Sequence, residues 1–192
     1  MSCSSFFSRL PGAAWLAALL SAALLGGCST LSKEDCVRGD WQHYGYYDGT
    51  QGYPPGRIEE HRQACAEFRV TPNPVEYARG REMGLLEYCT PMNGYNQGKS
   101  GATYHYVCRP DREAGFLRNY HLGRQIHEMS EKIRRIESQI RDKEKELEKD
   151  KDNSKKLNEE QRRHIRERIH DLEREKNTLK GMRQGVEVMV YY

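Results

Sequence analysis

Residues 124–140 read RQIHEMSEKIRRIESQI, and the spacing of their apolar letters decides the architecture. Ile126, Met129, Ile133, Ile136 and Ile140 recur at intervals of three and four, a stripe too narrow for a broad core face and suited to a coiled-coil seam. Glu128 with Lys132, Glu131 with Arg135, and Glu137 with Arg141 set an acid four residues ahead of a base. Each such pair supports a helix by about 0.2–0.5 kcal/mol. Further on, Ile165, Ile169, Leu172 and Leu179 form a second stripe of the same kind. The two stripes are out of phase, because extending the first heptad lands on His164, Arg168, Asp171 and Thr178. One unbroken helix would carry the second stripe off the seam, so the chain is expected to fold back.

A mirror point between Asp152 and Asn153 sets Ile140 against Ile165, Ile136 against Ile169, Ile133 against Leu172, and Ile126 against Leu179. The stretch DKDNSKK (150–156) holds weak helix formers, and Asn158 followed by Gln161 has the spacing of a capping box. Residues 124–184 are therefore read as an antiparallel helical hairpin whose arms of about 24 residues each reach roughly 36 Å. Gly185 is expected to stop the returning helix. The alternating run Val186–Tyr192 reads as an extended apolar tail (185–192) that packs on the domain preceding the hairpin.

That preceding domain, residues 28–123, has a different vocabulary. Tyr-x-x-Gly appears at Tyr46/Gly49, Tyr77/Gly80, Tyr95/Gly98 and Tyr120/Gly123, and positions three apart share a helix face. A glycine there lets another segment approach, with the tyrosine covering the gap. Four cysteines, Cys36, Cys65, Cys89 and Cys108, form an even set suited to an oxidising compartment. They allow three pairings. The local one, Cys36 with Cys65 and Cys89 with Cys108, closes two short loops without crossing, each bridge contributing about 2–4 kcal/mol. Zinc is the competing reading, because His61 lies four before Cys65 and His105 three before Cys108. No tight C-x-x-C pair supports it, so no metal is expected.

At the other end, Ala13–Leu25 is apolar, with Arg9 as the only charge before it, and is shorter than the roughly 20 residues that span a bilayer. This is the pattern of a signal peptide, residues 1–27. Leu25-Gly26-Gly27-Cys28 resembles the bacterial lipobox, which makes Cys28 the lipidated first residue of the mature chain. Acyl chains such as palmitate, at about 0.8 kcal/mol per buried methylene, would hold it in a membrane. Ser29 rather than Asp follows the cysteine, which under enteric sorting rules implies the outer membrane, periplasmic face.

The whole composition agrees with one modest core and much solvated helix: 36% hydrophobic, 31% charged, mean hydropathy −0.93. A net charge of +3 is far from the concentrated positive field of a nucleic-acid binder. The runs DWQHYGYYDGTQGYP, EHRQAC, YARGREMGLLEYCTPMNGY, GKSGATYHYVC and YHLGRQI resemble a bacterial lipoprotein family known as domain of unknown function 2799, over roughly residues 35–128. The resemblance implies a small envelope lipoprotein and supplies no activity.

Catalytic motifs fail on stated grounds. Gly94…Gly98-Lys99-Ser100 imitates a phosphate-binding loop but has three residues where four are required. G-x-S-x-G, H-E-x-x-H and C-x-x-C are all missing. The fold expected is mainly α: a small disulfide-braced helical domain followed by an antiparallel coiled-coil hairpin. The function expected is non-enzymatic and without cofactor: a lipoprotein anchored through Cys28 that meets an envelope protein partner through the hairpin and binds no nucleic acid. The alternative is a saccharide-binding or hydrolytic module built on His43, Asp48 and clustered tyrosines.

Overall fold

The computed structural model describes residues 31–152 and 156–190. The signal peptide, Cys28, Asn153 and Tyr191–Tyr192 lie outside the described residues. Among those described the chain is mainly helical with no strand, and two disulfides join Cys36 to Cys65 and Cys89 to Cys108 with Cα–Cα separations of 5.5 and 5.6 Å. The helices are α1 (Lys33–Arg38), α2 (Trp41–Thr50), α3 (Arg57–Ala66), α4 (Pro74–Tyr88), α5 (Pro91–Ser100), α6 (Pro110–Lys151) and α7 (Glu159–Met189). Local chemistry sets most of their starts. Ser32 makes a capping box with Asp35, and Asp40, Asn73 and Thr90 cap α2, α4 and α5 with side-chain oxygens. Proline opens α4, α5 and α6, where its missing N–H costs no bond.

Glycine decides how these helices pack. A Cβ added at Gly45 of α2 would sit 2.0 Å from the Tyr77 carbonyl oxygen of α4, and one at Gly80 would sit 1.9 Å from Gln42 O of α2. The pattern returns in α5 and α6: 2.1 Å from Gly98 to Tyr120 O, and 2.2 Å from Gly123 to Tyr95 O. Backbone thus meets backbone across both pairs. Contacts climb in the same direction on each partner, Gly45 meeting Tyr77 and Gly49 meeting Arg81 and Leu85, so the two helices of a pair run parallel.

The braced domain is one unit built twice. Cys65, Tyr77, Gly80 and Arg81 have the spacing of Cys108, Tyr120, Gly123 and Arg124, and Cys36 stands to Gly45 as Cys89 stands to Gly98. This alters the expected four-fold Tyr-x-x-Gly repeat. Only Tyr77/Gly80 and Tyr120/Gly123 are equivalent, and the glycines of the motif admit a backbone carbonyl, from Gln42, Arg81, Tyr95 or Tyr120, rather than a tyrosine ring. Gly52, at φ +68°, is the exception, with the Tyr88 ring packed on it. Each half has its own core around one disulfide. The first gathers Leu31, Cys36, Trp41, Cys65 and Tyr77; the second gathers Leu85, Tyr88, Cys89, Tyr104, Cys108 and Phe116.

Helix α6 crosses the expected boundary at residue 123 without a break, so one helix serves both the braced domain and the isoleucine seam. Along that seam, Ile136 and Ile140 cluster with Leu172, and Ile169 and Leu179 pack alongside. Arg162 Nε reaches Asp150 Oδ2 at 2.5 Å, Lys180 Nζ reaches Glu137 Oε1 at 3.6 Å, and Lys99 Nζ reaches Glu187 Oε1 at 3.9 Å. The mirror point expected between Asp152 and Asn153 needs correction. Asp150 and Arg162 are symmetric about residue 156, because α6 persists to Lys151 and α7 starts only after the Asn158/Gln161 capping box. This places position 140 opposite 172 rather than 165. The shift is one heptad on the partner helix, which a repeating seam tolerates because apolar residues recur at that interval.

The tail also differs from expectation. Gly185 lies inside α7, which continues to Met189. Met182, Val186 and Met189, spaced four and three, line one groove with Met129 of α6. Residues that alternate as in a strand thus also carry a helical stripe, which the helix sets beside Met129 while Met182 and Met189 stay more than half exposed.

Candidate functional site

On α2, Gly45, Asp48 and Gly49 are buried at intervals of three and one, the face turned to α4; Tyr77, Gly80, Arg81 and Gly84 form the answering face. Asp48 is thereby carried inside by the glycines beside it. On α3, His61 and Cys65 share a buried face, and the Cys36–Cys65 bridge pins that face inward. These three helices assemble a polar network in which Asp48 is 2%, His61 3% and Arg81 8% exposed.

One oxygen of Asp48 collects two donors. His61 Nε2–H and the Tyr77 hydroxyl each donate to Oδ2 at 2.7 Å. Burial, with the hydrogen bond to Asp48 next, pushes the Tyr77 phenol far above its ordinary value and keeps it protonated. The imidazole and phenol rings meet edge-on, centroids 5.9 Å apart. A phenol, carboxylate and imidazole in contact could pass a proton, but sealed from solvent they serve as a satisfied polar clamp between α2, α3 and α4.

Arg81 continues this network outward. Its Nη2 donates to Tyr53 O at 2.8 Å, while its buried Nε has no hydrogen-bond partner among the described residues. Beside it opens a cavity of about 180 Å³ lined by Pro55, Ile58, Pro74, Tyr77, Ala78, Arg81 and Glu82. A wider, shallower groove of about 540 Å³ lies elsewhere on the α2–α4 surface, lined by Asp40, Gln42, His43, Tyr46, Met83 and Glu87. There the Tyr46 hydroxyl donates to Glu87 Oε1 at 2.7 Å, which raises the phenol's pKa.

The structure does not bring His43 and Asp48 together. Five positions apart on α2, they point about 140° away from each other; His43 is exposed on the open groove and Asp48 is buried against His61. His105 is exposed, and Tyr104 is buried in the second core, its hydroxyl donating to Glu113 Oε1 at 2.8 Å and accepting from Cys108 N at 3.1 Å. The cysteines raised as zinc ligands are all in disulfides, and His61 is bonded to Asp48. Sequence reasoning did not find Tyr77 and Arg81 as members of the network. Their signal was legible: they flank Gly80 at i−3 and i+1, on the face that the glycine opens.

Residues 40–125 match the model of a family described as Protein of unknown function (DUF2799). The matched span takes in α2 to α5 and the first part of α6, which are the two glycine-crossed pairs, and stops where the isoleucine seam begins. No curated protein and no solved structure matches the chain.

Proposed function

We propose that this chain is an envelope lipoprotein held at the outer membrane through Cys28, in which the braced domain is a rigid base and α6 and α7 form an antiparallel coiled-coil hairpin that engages a protein partner. The observation that carries the reading is the overhang of α6. Its first turns are committed to α5 through Gly123 and His127, and from Glu128 to Lys151 it runs on for about 24 residues, roughly 36 Å, with α7 as its main neighbour among the described residues. Such a length of two-helix seam adds little to a base that has its own cores and bridges, so a reaching role accounts for it.

Other features support the membrane side. The lipobox pattern ends at Cys28, and α1 is capped at Ser32. Four residues reach at most about 14 Å, so a lipid on Cys28 would hold the domain close to the bilayer. No helix among the described residues is long and apolar enough to cross a membrane. Two disulfides fit an oxidising compartment.

The test has two parts. Cys28→Ala is expected to release the protein from the membrane fraction; retention at the native level would remove the anchor. Cysteines at Ile140 and Leu172 are expected to bridge within one chain, whereas Ile140 with Ile165, about 10 Å further along the helix, should not. Bridging only between chains would replace the hairpin with an intermolecular coiled coil. Photocrosslinkers on exposed positions of residues 134–175 in intact cells should then capture an envelope protein. Adducts confined to this chain would remove the partner-binding role.

A further inference from the structure

Arg81 marks the sharpest difference between the two halves of the braced domain. In the second half, Arg124 donates through Nη1 to Gly101 O at 3.2 Å and finds a carboxylate one turn on, Glu128 Oε1, 3.9 Å from Nη2. The same offset from Arg81 falls on Leu85, a core residue. Arg81 keeps the carbonyl bond, to Tyr53 O, but makes no ion pair among the described residues, and its Nε is unpartnered. Asp48, the carboxylate of the neighbouring network, is already engaged by His61 and Tyr77. A guanidinium only 8% exposed and lacking a counter-carboxylate is a costly arrangement unless something else supplies the charge.

The cavity beside it has the form to admit that charge. Its 180 Å³ corresponds to about six water molecules at roughly 30 Å³ each, enough for a carboxylate with a small aliphatic group. Pro55, Ile58, Pro74 and Ala78 supply apolar wall, and Arg81 is the one cation on the lining among the described residues. Glu82, exposed on the same lining, disfavours a second carboxylate and suits an ammonium. We infer that this cavity binds the carboxylate of a small aliphatic α-amino acid, free or at the C-terminus of a peptide, with the Arg81 guanidinium as its counter-charge. Planar, multi-donor guanidinium is the side chain best matched to a carboxylate, and apolar walls strengthen the pairing by excluding water. The inference concerns the braced domain alone and does not depend on the hairpin or the anchor.

Ligand-observed NMR and thermal shift on the full chain test it with three probes: alanine, N-acetylalanine and N-acetylalanine amide. At least one of the two acids should bind saturably, and the amide, which lacks the charge, should bind at least about tenfold more weakly. Alanine alone binding assigns a free amino acid; N-acetylalanine alone binding assigns a peptide C-terminus; binding of both assigns the shared carboxylate. Arg81→Lys should weaken the acid about tenfold by removing the planar fork. Because that variant touches the core, Ala78→Leu is the second arm: Ala78 is exposed on the cavity wall, so the larger side chain should fill the space and abolish binding with the helical spectrum unchanged. No saturable binding of either acid, equal binding of the amide, or native affinity in Ala78→Leu would each overturn the site.

Discussion

Helix α6 packs in two ways along its own length. Through Gly123 it lies against α5 with backbone touching backbone; past Ile126 it lies against α7 with a layer of isoleucine and leucine between. The first mode depends on missing atoms and the second on added ones. Glycine contacts bring helices so near that any side chain at the crossing must push whole backbones apart, whereas an aliphatic seam has side chains that can adjust. The braced domain should therefore be brittle to small additions and the arm tolerant of them.

Gly80→Ala is the most severe test. Its methyl would stand 1.9 Å from Gln42 O, a backbone atom that cannot turn aside, so a loss of about 3 kcal/mol is expected in denaturant unfolding followed by Trp41 fluorescence. A loss near zero would mean that the crossing is looser than backbone contact. Asp48→Ala comes next, at about 2 kcal/mol, because the Tyr77 hydroxyl loses its buried acceptor and His61 loses its carboxylate. Asp48→Asn, which keeps an acceptor in place, should recover part of that loss.

Alkali should separate the two regions without mutation. Burial pushes the phenols of Tyr44, Tyr88 and Tyr104 up to about 12. A raised phenol pKa favours the folded state fully below the unfolded value of about 10, and that contribution is lost as pH rises toward 12. All three tyrosines are in the braced domain, and residues 124–183 carry no aromatic residue. Trp41 fluorescence should then report domain unfolding between pH 10 and 12, with phenolate absorbance appearing in the same step. Phenolate formation spread evenly around pH 10 would show the rings to be solvated.

The smallest effect has the opposite sign. Gly181 and Gly185 lie in α7 with open space where a Cβ would stand. Gly181→Ala should stabilise by about 0.5–1 kcal/mol through lower unfolded-state entropy and better helix propensity. One substitution type, glycine to alanine, should thus destabilise the domain and stabilise the arm.

What the sequence determined by itself is what short-range spacing encodes. The apolar period of residues 124–140, the capping box at Asn158 and Gln161, and the weak helix formers of DKDNSKK specify two helices with a break between them, because each is a local signal read within a turn or two. Equivalent seams one heptad apart score alike in such a reading, so which residues meet, as Ile140 meets Leu172, depends on where α6 and α7 end. The tail, too, was ambiguous, since Met182, Val186 and Met189 carry a helical spacing inside a run that also alternates as a strand does. In the braced domain the tyrosines and glycines were visible, but which helix each glycine would admit depends on a crossing between segments 22 to 38 residues apart along the chain. Asp48 illustrates the limit: next to His43 on paper, it was turned away from it by the helical period and brought to His61 and Tyr77 by the close approach of α2 and α4. Tertiary packing chose its partners, because burial in that seam leaves a carboxylate no water to turn to and makes two donors from other helices the arrangement that keeps it there.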